Sequence, residues 1–212
     1  MAQKFSSVTS SPSQRQLDNA VITNRKDILL TLLPDILSQR ADVASFAKIL
    51  MKSANLLMGQ AAKVDLLLLR TPNSFNGTAF MMKPPEAMTQ RINAALIIQS
   101  NPLLKSVLTS PQVLNLSEGL DISLEDGNEN NGGHRISNAL LGPLLTPDGN
   151  ETIGCLQLYD KAGGFSSDDE ILFGHLLSVA SIGFSNIMLQ QEMRLELARS
   201  EVFLELARTV FR

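Results

Sequence analysis

The chain is poor in the groups that usually announce chemistry: one cysteine, two histidines and no excess of positive charge among its 212 residues. A single Cys155 allows no internal disulfide, so the fold must stand on its apolar core. Neither His134 nor His175 lies near Cys155 in sequence, and the thiol reads as a small buried residue in an apolar alternating run rather than as a nucleophile. The formal charge of -3 and pI near 5.4 offer no basic field to a phosphate backbone, so nucleic acid is not an expected partner. No apolar run approaches the about 20 residues that cross a bilayer, and the opening MAQKFSSVTSSPSQRQLDN lacks the apolar centre of a secretory signal. The expectation is a cytoplasmic protein with a floppy leader over residues 1–22 and no membrane partner.

What is present suits one globular domain with appendages: 44% hydrophobic and 18% charged residues. RKDILLTLLPDILSQR and ADVASFAKILMKSANLLMG space their apolar residues as amphipathic helices, the first interrupted at Pro34 and the second closed by Gly59. From Val64 the pattern shortens to VDLLLLR, TPNSFNG and TAFMMK, which reads as a hairpin. A strand is expected near Ile92 to Ile98. NPLLKSVLTSPQ is a short helix capped by Asn101 with Pro102 at its first position, where a missing N–H costs nothing. VLNL is a strand, followed by the polar stretch SEGLDISLEDGNENNGGHR, a lid or insertion. ALLGPLL and TIGCLQLYD form a hairpin about Asp148-Gly149, and one helix runs from Ser167 to Arg212 with Ser166 or Ser167 as its cap. Strands joined by tight turns are antiparallel and need cover, so the fold class is α+β: an antiparallel sheet with the terminal helices on one face and lid elements on the other.

Other constellations carry less. Asp121, Glu125, Asp126 and Glu129 crowd the polar stretch without the ligand spacing of a calcium loop. His175 reads as a core-bordering residue of the last helix, and the pairs Gly132-Gly133 and Gly163-Gly164 serve turns, lacking the strand-loop-helix context of a phosphate cradle. No catalytic residues are assigned, and the chain is not expected to be an enzyme.

The junction YDKAGGFSSDDE combines Lys161, Phe165, Asp169 and Glu170 at a set spacing after Asp160. With the order of SPQVLNLSEG and HRISNALLGPLLTPDGNETIGCLQLYDKAGGF, the stretch from about Asp42 to Gln191 resembles a GAF domain, within a domain drawn over residues 23–191. The junction is similar to the Asn-Lys-Phe-Asp-Glu motif of GAF domains in cyclic nucleotide phosphodiesterases and adenylyl cyclases, with Asp160 in place of Asn. The resemblance implies a Lys161–Asp169 salt bridge that braces the last strand against the last helix without touching ligand. It also implies a pocket between sheet and lid, for which Met82, Asn101, Leu103, Ile136, Ser137 and Gln157 are the corresponding candidates and cAMP or cGMP the corresponding ligand. Pro102 removes one amide donor from the helix end that would hold the phosphate, and of the pocket positions Gln157 alone is kept in kind. GAF enzymes that reduce free methionine sulfoxide use several cysteines, and bilin-binding GAF domains use one in a different setting; the lone Cys155 fits neither.

The last helix would reach about 68 Å. Its first half has small residues, Gly174, Ala180 and Gly183, suited to close approach to the sheet, whereas residues 192–212 carry two apolar stripes, Met193–Leu197–Leu204–Ala207–Phe211 and Leu195–Val202–Leu206. This extension implies a homodimer through the terminal helices or a contact with an attached output domain. Two functions stay open: a dimeric regulatory domain sensing a small molecule such as a cyclic nucleotide, and a structural or interaction module that holds no ligand.

Overall fold

The structure, a computed structural model, describes residues 25–37, 42–72, 74, 76–84, 88–91, 95–116, 122–124 and 134–210. The expected leader, Asp121, Glu125, Asp126, Glu129, the Gly132-Gly133 pair, Phe211 and Arg212 lie outside the described residues. Helix α1 covers residues 25–36. There follow α2 (Val43–Leu57), β1 (Ala61–Leu69), β2 (Gly77–Met82), β3 (Thr89–Arg91), α3 (Ala95–Ser100), α4 (Pro102–Thr109), β4 (Leu114–Leu116), β5 (Ile122–Leu124), β6 (His134–Ile136), β7 (Ala139–Leu145), β8 (Thr152–Lys161) and α5 (Ser167–Val210). Six strands form an antiparallel sheet in the order β3-β2-β1-β8-β7-β4, and β5 pairs with β6 separately.

Alternation along the central strands separates two cores. Val64, Leu66 and Leu68 of β1, Leu140 and Leu144 of β7, and Leu156 and Leu158 of β8 pack with α1, α2 and α5. Leu67, Leu69, Leu141, Cys155 and Tyr159 point the other way and pack with Ile98 of α3 and Leu104 and Val107 of α4. Period-two patterning thus gives both faces of one sheet a partner. Pro143 interrupts β7 at no cost to the outer ladder, because β4 pairs β7 only from Ala139 to Leu141.

Several expectations change. The strand expected near Ile92 to Ile98 gives way to β3 at Thr89–Arg91 and helix α3 from Ala95, with residues 92–94 outside the described ones. Ile98 is buried while Gln99 and Ser100 are exposed, a one-sided burial that a helical turn provides at the start of the lid. Pro34 does not interrupt α1: it stands in the last turn, exposed, and the turn closes beyond it with Leu37 N–H donating to Leu33 O at 2.9 Å. Ile122–Leu124, within the stretch read as loop, pairs with His134–Ile136. Contrary to the sequence count, α5 is long and apolar enough by length and composition to cross a membrane, but 56% of that window is buried within the domain, as a core helix would be.

The close approach of α5 to the sheet is made by Gly142 of β7, where a Cβ would run into Leu177 and Phe173. Gly183 instead admits α1, since its Cβ would lie 2.6 Å from Ile36 O, while Gly174 faces open space. Beyond Gln190 every α5 residue to Thr209 is exposed, including Met193, Leu195, Leu197, Val202, Phe203, Leu204 and Leu206.

Candidate functional site

The junction after β8 is assembled around one carboxylate. Ser166 caps α5: its Oγ accepts from Asp169 N–H at 3.2 Å, and Asp169 Oδ2 accepts from Ser166 N–H at 2.8 Å, a reciprocal capping box. The same oxygen lies 2.5 Å from Lys161 Nζ, and Oδ1 lies 2.7 Å from Arg25 Nη1 of α1. The Asp169 side chain is fully buried, with the two cations partly so. Burial pushes the Asp169 carboxyl up, but the Lys161 hydrogen bond, the Ser166 donors and the Lys161 charge outweigh it and hold the group below its ordinary value of 3.8. Capping and bracing are therefore two functions of one residue.

The rest of the motif supports that carboxylate. Phe165 is buried in the helix-side core, with its ring centroid 5.7 Å from Lys161 Nζ. Asp160 adopts φ 55°, a left-handed conformation that Asp and Asn tolerate, and its Oδ1 accepts from Ser137 N–H at 2.7 Å and Ser137 Oγ–H at 2.8 Å. Glu170 is exposed and accepts from Asn115 Nδ2 at 3.3 Å, which ties β4 to the same corner. Gly59, at the end of α2, abuts Arg25 and Lys161.

The lid face holds the other polar constellation. Asn101 Oδ1 caps α4 by accepting from Leu104 N–H at 3.0 Å, and its Nδ2 donates to Gln157 Oε1 and to Tyr159 Oη, each at 3.2 Å. Tyr159 Oη–H donates to Gln157 Oε1 at 2.5 Å. Burial, then the Asp65 charge, push the Tyr159 hydroxyl well above its ordinary 10. Lys63 Nζ, buried on the same face, lies 3.2 Å from Asp65 Oδ2 and 5.8 Å from the Tyr159 ring centroid. Beside Gln157 a cavity of about 10 Å³ remains, bordered by Asp65, Met81, Ile97 and Leu104. That is room for about one water.

Of the six pocket candidates, the structure joins Asn101 and Gln157 directly and sets Leu103 and Ile136 in the same apolar cluster. Met82 lies on the opposite face, within the helix-side core, because β2 alternates and it is Met81 that borders the lid. Ser137 lies between β6 and β7 and binds Asp160 near the end of β8. Sequence reasoning missed Lys63, Asp65 and Tyr159, although KVD inside an apolar strand puts two charges on one face. Arg25 had no local signal, since Asp169 is 144 positions away. The Cys155 thiol is wholly buried, and burial raises its pKa, leaving it protonated and inert.

No family model matches the chain. Dual 3',5'-cyclic-AMP and -GMP phosphodiesterase 11 of Drosophila melanogaster is 36% identical over 81 residues, which span 37% of this chain and 6% of that protein. Among solved structures, the GAF domain of a phosphoenolpyruvate-protein phosphotransferase from Coxiella burnetii superposes with a TM-score of 0.57 at 11% identity, covering 81% of this chain and 98% of that one. The corresponding domain from Acinetobacter gives 0.52 at 11% identity, over 80% and 95%. Free methionine-R-sulfoxide reductase from Neisseria meningitidis, solved with its substrate, gives 0.56 at 14% identity, over 86% and 96%. At such identities the likeness is one of fold, and by its sheet order, its two-sided cover and these superpositions the chain has the GAF fold.

Proposed function

We propose that this chain is a regulatory GAF domain that acts as a pair of identical copies joined through α5, with changes on the lid face passed to that helix. The observation that carries the reading is the distal half of α5, where seven large apolar side chains between Met193 and Leu206 are exposed and no other described residue covers them. An isolated helix of that kind gains little stability in water, and a partner supplies the missing burial. The clasp supports the relay, since Lys161 ends β8, Asp169 opens α5, and both sides of the carboxylate are engaged. Light scattering on the full chain tests it: a dimer is expected, with Leu197→Asp and Leu204→Asp shifting it to a monomer that keeps the domain fold by circular dichroism and loses the concentration dependence of its melting temperature. A monomeric wild type at high micromolar concentration rejects the reading.

A second reading, cyclic nucleotide sensing, is favoured by the relative whose name specifies cyclic AMP and GMP. It must contend with Asn101 and Gln157, whose polar atoms already bind each other, and with the small space left beside Gln157. Binding would require α4 to move. Thermal shift with cAMP and cGMP decides: a ligand at a hundred times its dissociation constant adds about 2.7 kcal/mol, and no shift with either at millimolar concentration removes this reading.

A further inference from the structure

Asn101 divides its carboxamide between two elements. Its Oδ1 caps α4 by accepting from Leu104 N–H, a task that Ser, Thr or Asp performs as well. Its Nδ2 takes no part in the cap and is shared between Gln157 Oε1 and Tyr159 Oη, each 3.2 Å away, at the long end of the usual range. All three side chains are buried. The two acceptors are held in place by the sheet: β8 is paired on both sides, with Gln157 between Asp65 and Leu141 and Tyr159 between Lys63 and Ala139. Tyr159 Oη–H is committed to Gln157 Oε1 at 2.5 Å, so each oxygen turns a lone pair toward the same Nδ2. A rigid strand thus presents two convergent acceptors to one N–H2 group. The fit around that group is loose, because the void of about 10 Å³ beside Gln157 is bordered by Leu104 and Ile97 from the lid. If the Asn101 side chain swung away beneath a closed lid, two buried acceptors would lose their donor, an unfavourable state that another donor relieves.

We propose that Gln157 and Tyr159 form a binding site for a planar N–H2 donor, that the ligand class is a primary carboxamide, and that Asn101 is its built-in competitor, filling the site until the ligand displaces it. The inference concerns the lid face alone and holds whether or not two copies pair through α5. The geometry demands a donor: a carbonyl or carboxylate oxygen standing where Nδ2 stands would face Gln157 Oε1, acceptor against acceptor. Ligands with oxygen alone are thereby rejected, whereas a primary amide reproduces both the planar shape and the two N–H bonds that Asn101 brings.

Asn101→Ser separates the two tasks, since a serine hydroxyl keeps the α4 cap and is too short to reach β8. Acetamide is the probe, and acetone, of the same shape but with no N–H, is its control. Acetamide is expected to raise the melting temperature of Asn101→Ser saturably, and at about ten times its dissociation constant to raise the folding equilibrium constant about elevenfold. The wild type, whose site is filled, is expected to show no such gain, and acetone none with either chain. Tyr159 is the one tyrosine in a chain without tryptophan, so its absorbance should shift with the same dependence on acetamide, which a general solvent effect would not produce. No response in Asn101→Ser, a response shared by the wild type or by acetone, or one that leaves the Tyr159 absorbance unmoved overturns the site. Should Asn101→Ser be unfolded in buffer, recovery of its circular dichroism in acetamide but not in acetone is the expected result, and recovery in neither or in both overturns the proposal equally.

Discussion

The two faces of the sheet are packed by opposite means. On the helix face, side chains such as Leu66, Leu156, Leu158 and Phe173 form an apolar core whose buried polar groups are small, the hydroxyls of Ser53, Ser181 and Ser185, and charge enters at the rim, where Asp169 takes Lys161 and Arg25. On the lid face, Lys63, Asn101, Gln157 and Tyr159 are buried among Leu67, Leu104 and Ile136. An apolar core gains from volume and close packing, and it tolerates small shifts poorly in proportion to the space they open. A polar core gains little net free energy from each hydrogen bond, and its partners fix one arrangement of the elements that carry them. The helix face is therefore the stable half of the molecule, and the lid face is the half whose polar contacts set the placement of α4 over β8.

The comparison breaks first if the helix face is not dominant. Phe173 is fully buried against Gly142, and Phe173→Ala should cost about 4 kcal/mol; a denaturant midpoint that barely moves would invert the ranking. Asp169→Asn comes next, at about 3 kcal/mol, because it leaves two cations facing a neutral amide. Its acid behaviour has a definite sign. The folded Asp169 carboxyl sits below 3.8, so its contribution is complete above that value and is lost as pH falls through the lower folded one. The wild type should lose stability over that acidic window more steeply than Asp169→Asn, as read from melting temperatures against pH. Lys161→Ala should cost less than Asp169→Asn, since Arg25 still holds the carboxylate, yet clearly more than replacement of the exposed Lys105.

Much of this stable half was legible in the sequence. The clasp came from the resemblance that Lys161, Phe165 and Asp169 carry, and apolar alternation through TIGCLQLYD gave the central strand, because both rest on local patterns. Arg25 was not legible, since no local rule ties α1 to a carboxylate at the far end of the chain. Met82 was misplaced by one position, which in a strand means the opposite face. Gly174 was taken for a close-approach residue on composition, whereas the approach depends on what the neighbouring strand offers, and that is Gly142. The lid face was the least legible, because Asn101, Gln157 and Tyr159 meet through tertiary folding alone and Lys63 was not singled out.

On the lid face the expected effects are smaller. Asn101→Ala removes both the α4 cap and the donor shared by Gln157 and Tyr159, and it should cost about 2 kcal/mol. A sharper outcome concerns α4 alone: amide exchange across Pro102–Thr109 should accelerate more than exchange in β8. Equal acceleration would mean that Asn101 supports the whole domain and that the two faces are not separable.

The smallest effect sharpens the comparison most. In Tyr159→Phe the ring stays in place, and the Asn101–Gln157 hydrogen bond survives without the hydroxyl, so the cost at neutral pH should be about 1 kcal/mol or less. Above pH 10 the difference should reverse. The folded hydroxyl is held protonated by burial and by Asp65, while the unfolded tyrosine ionises near 10, so the wild type loses stability relative to Tyr159→Phe as pH rises, by about 1.4 kcal/mol per pH unit. Because Tyr159 is the chain's one tyrosine and there is no tryptophan, tyrosinate absorbance reports this site alone. A rise in that absorbance near pH 10 with the fold intact would mean water already reaches the hydroxyl beneath α4, and the lid face would then be an open pocket rather than a polar core.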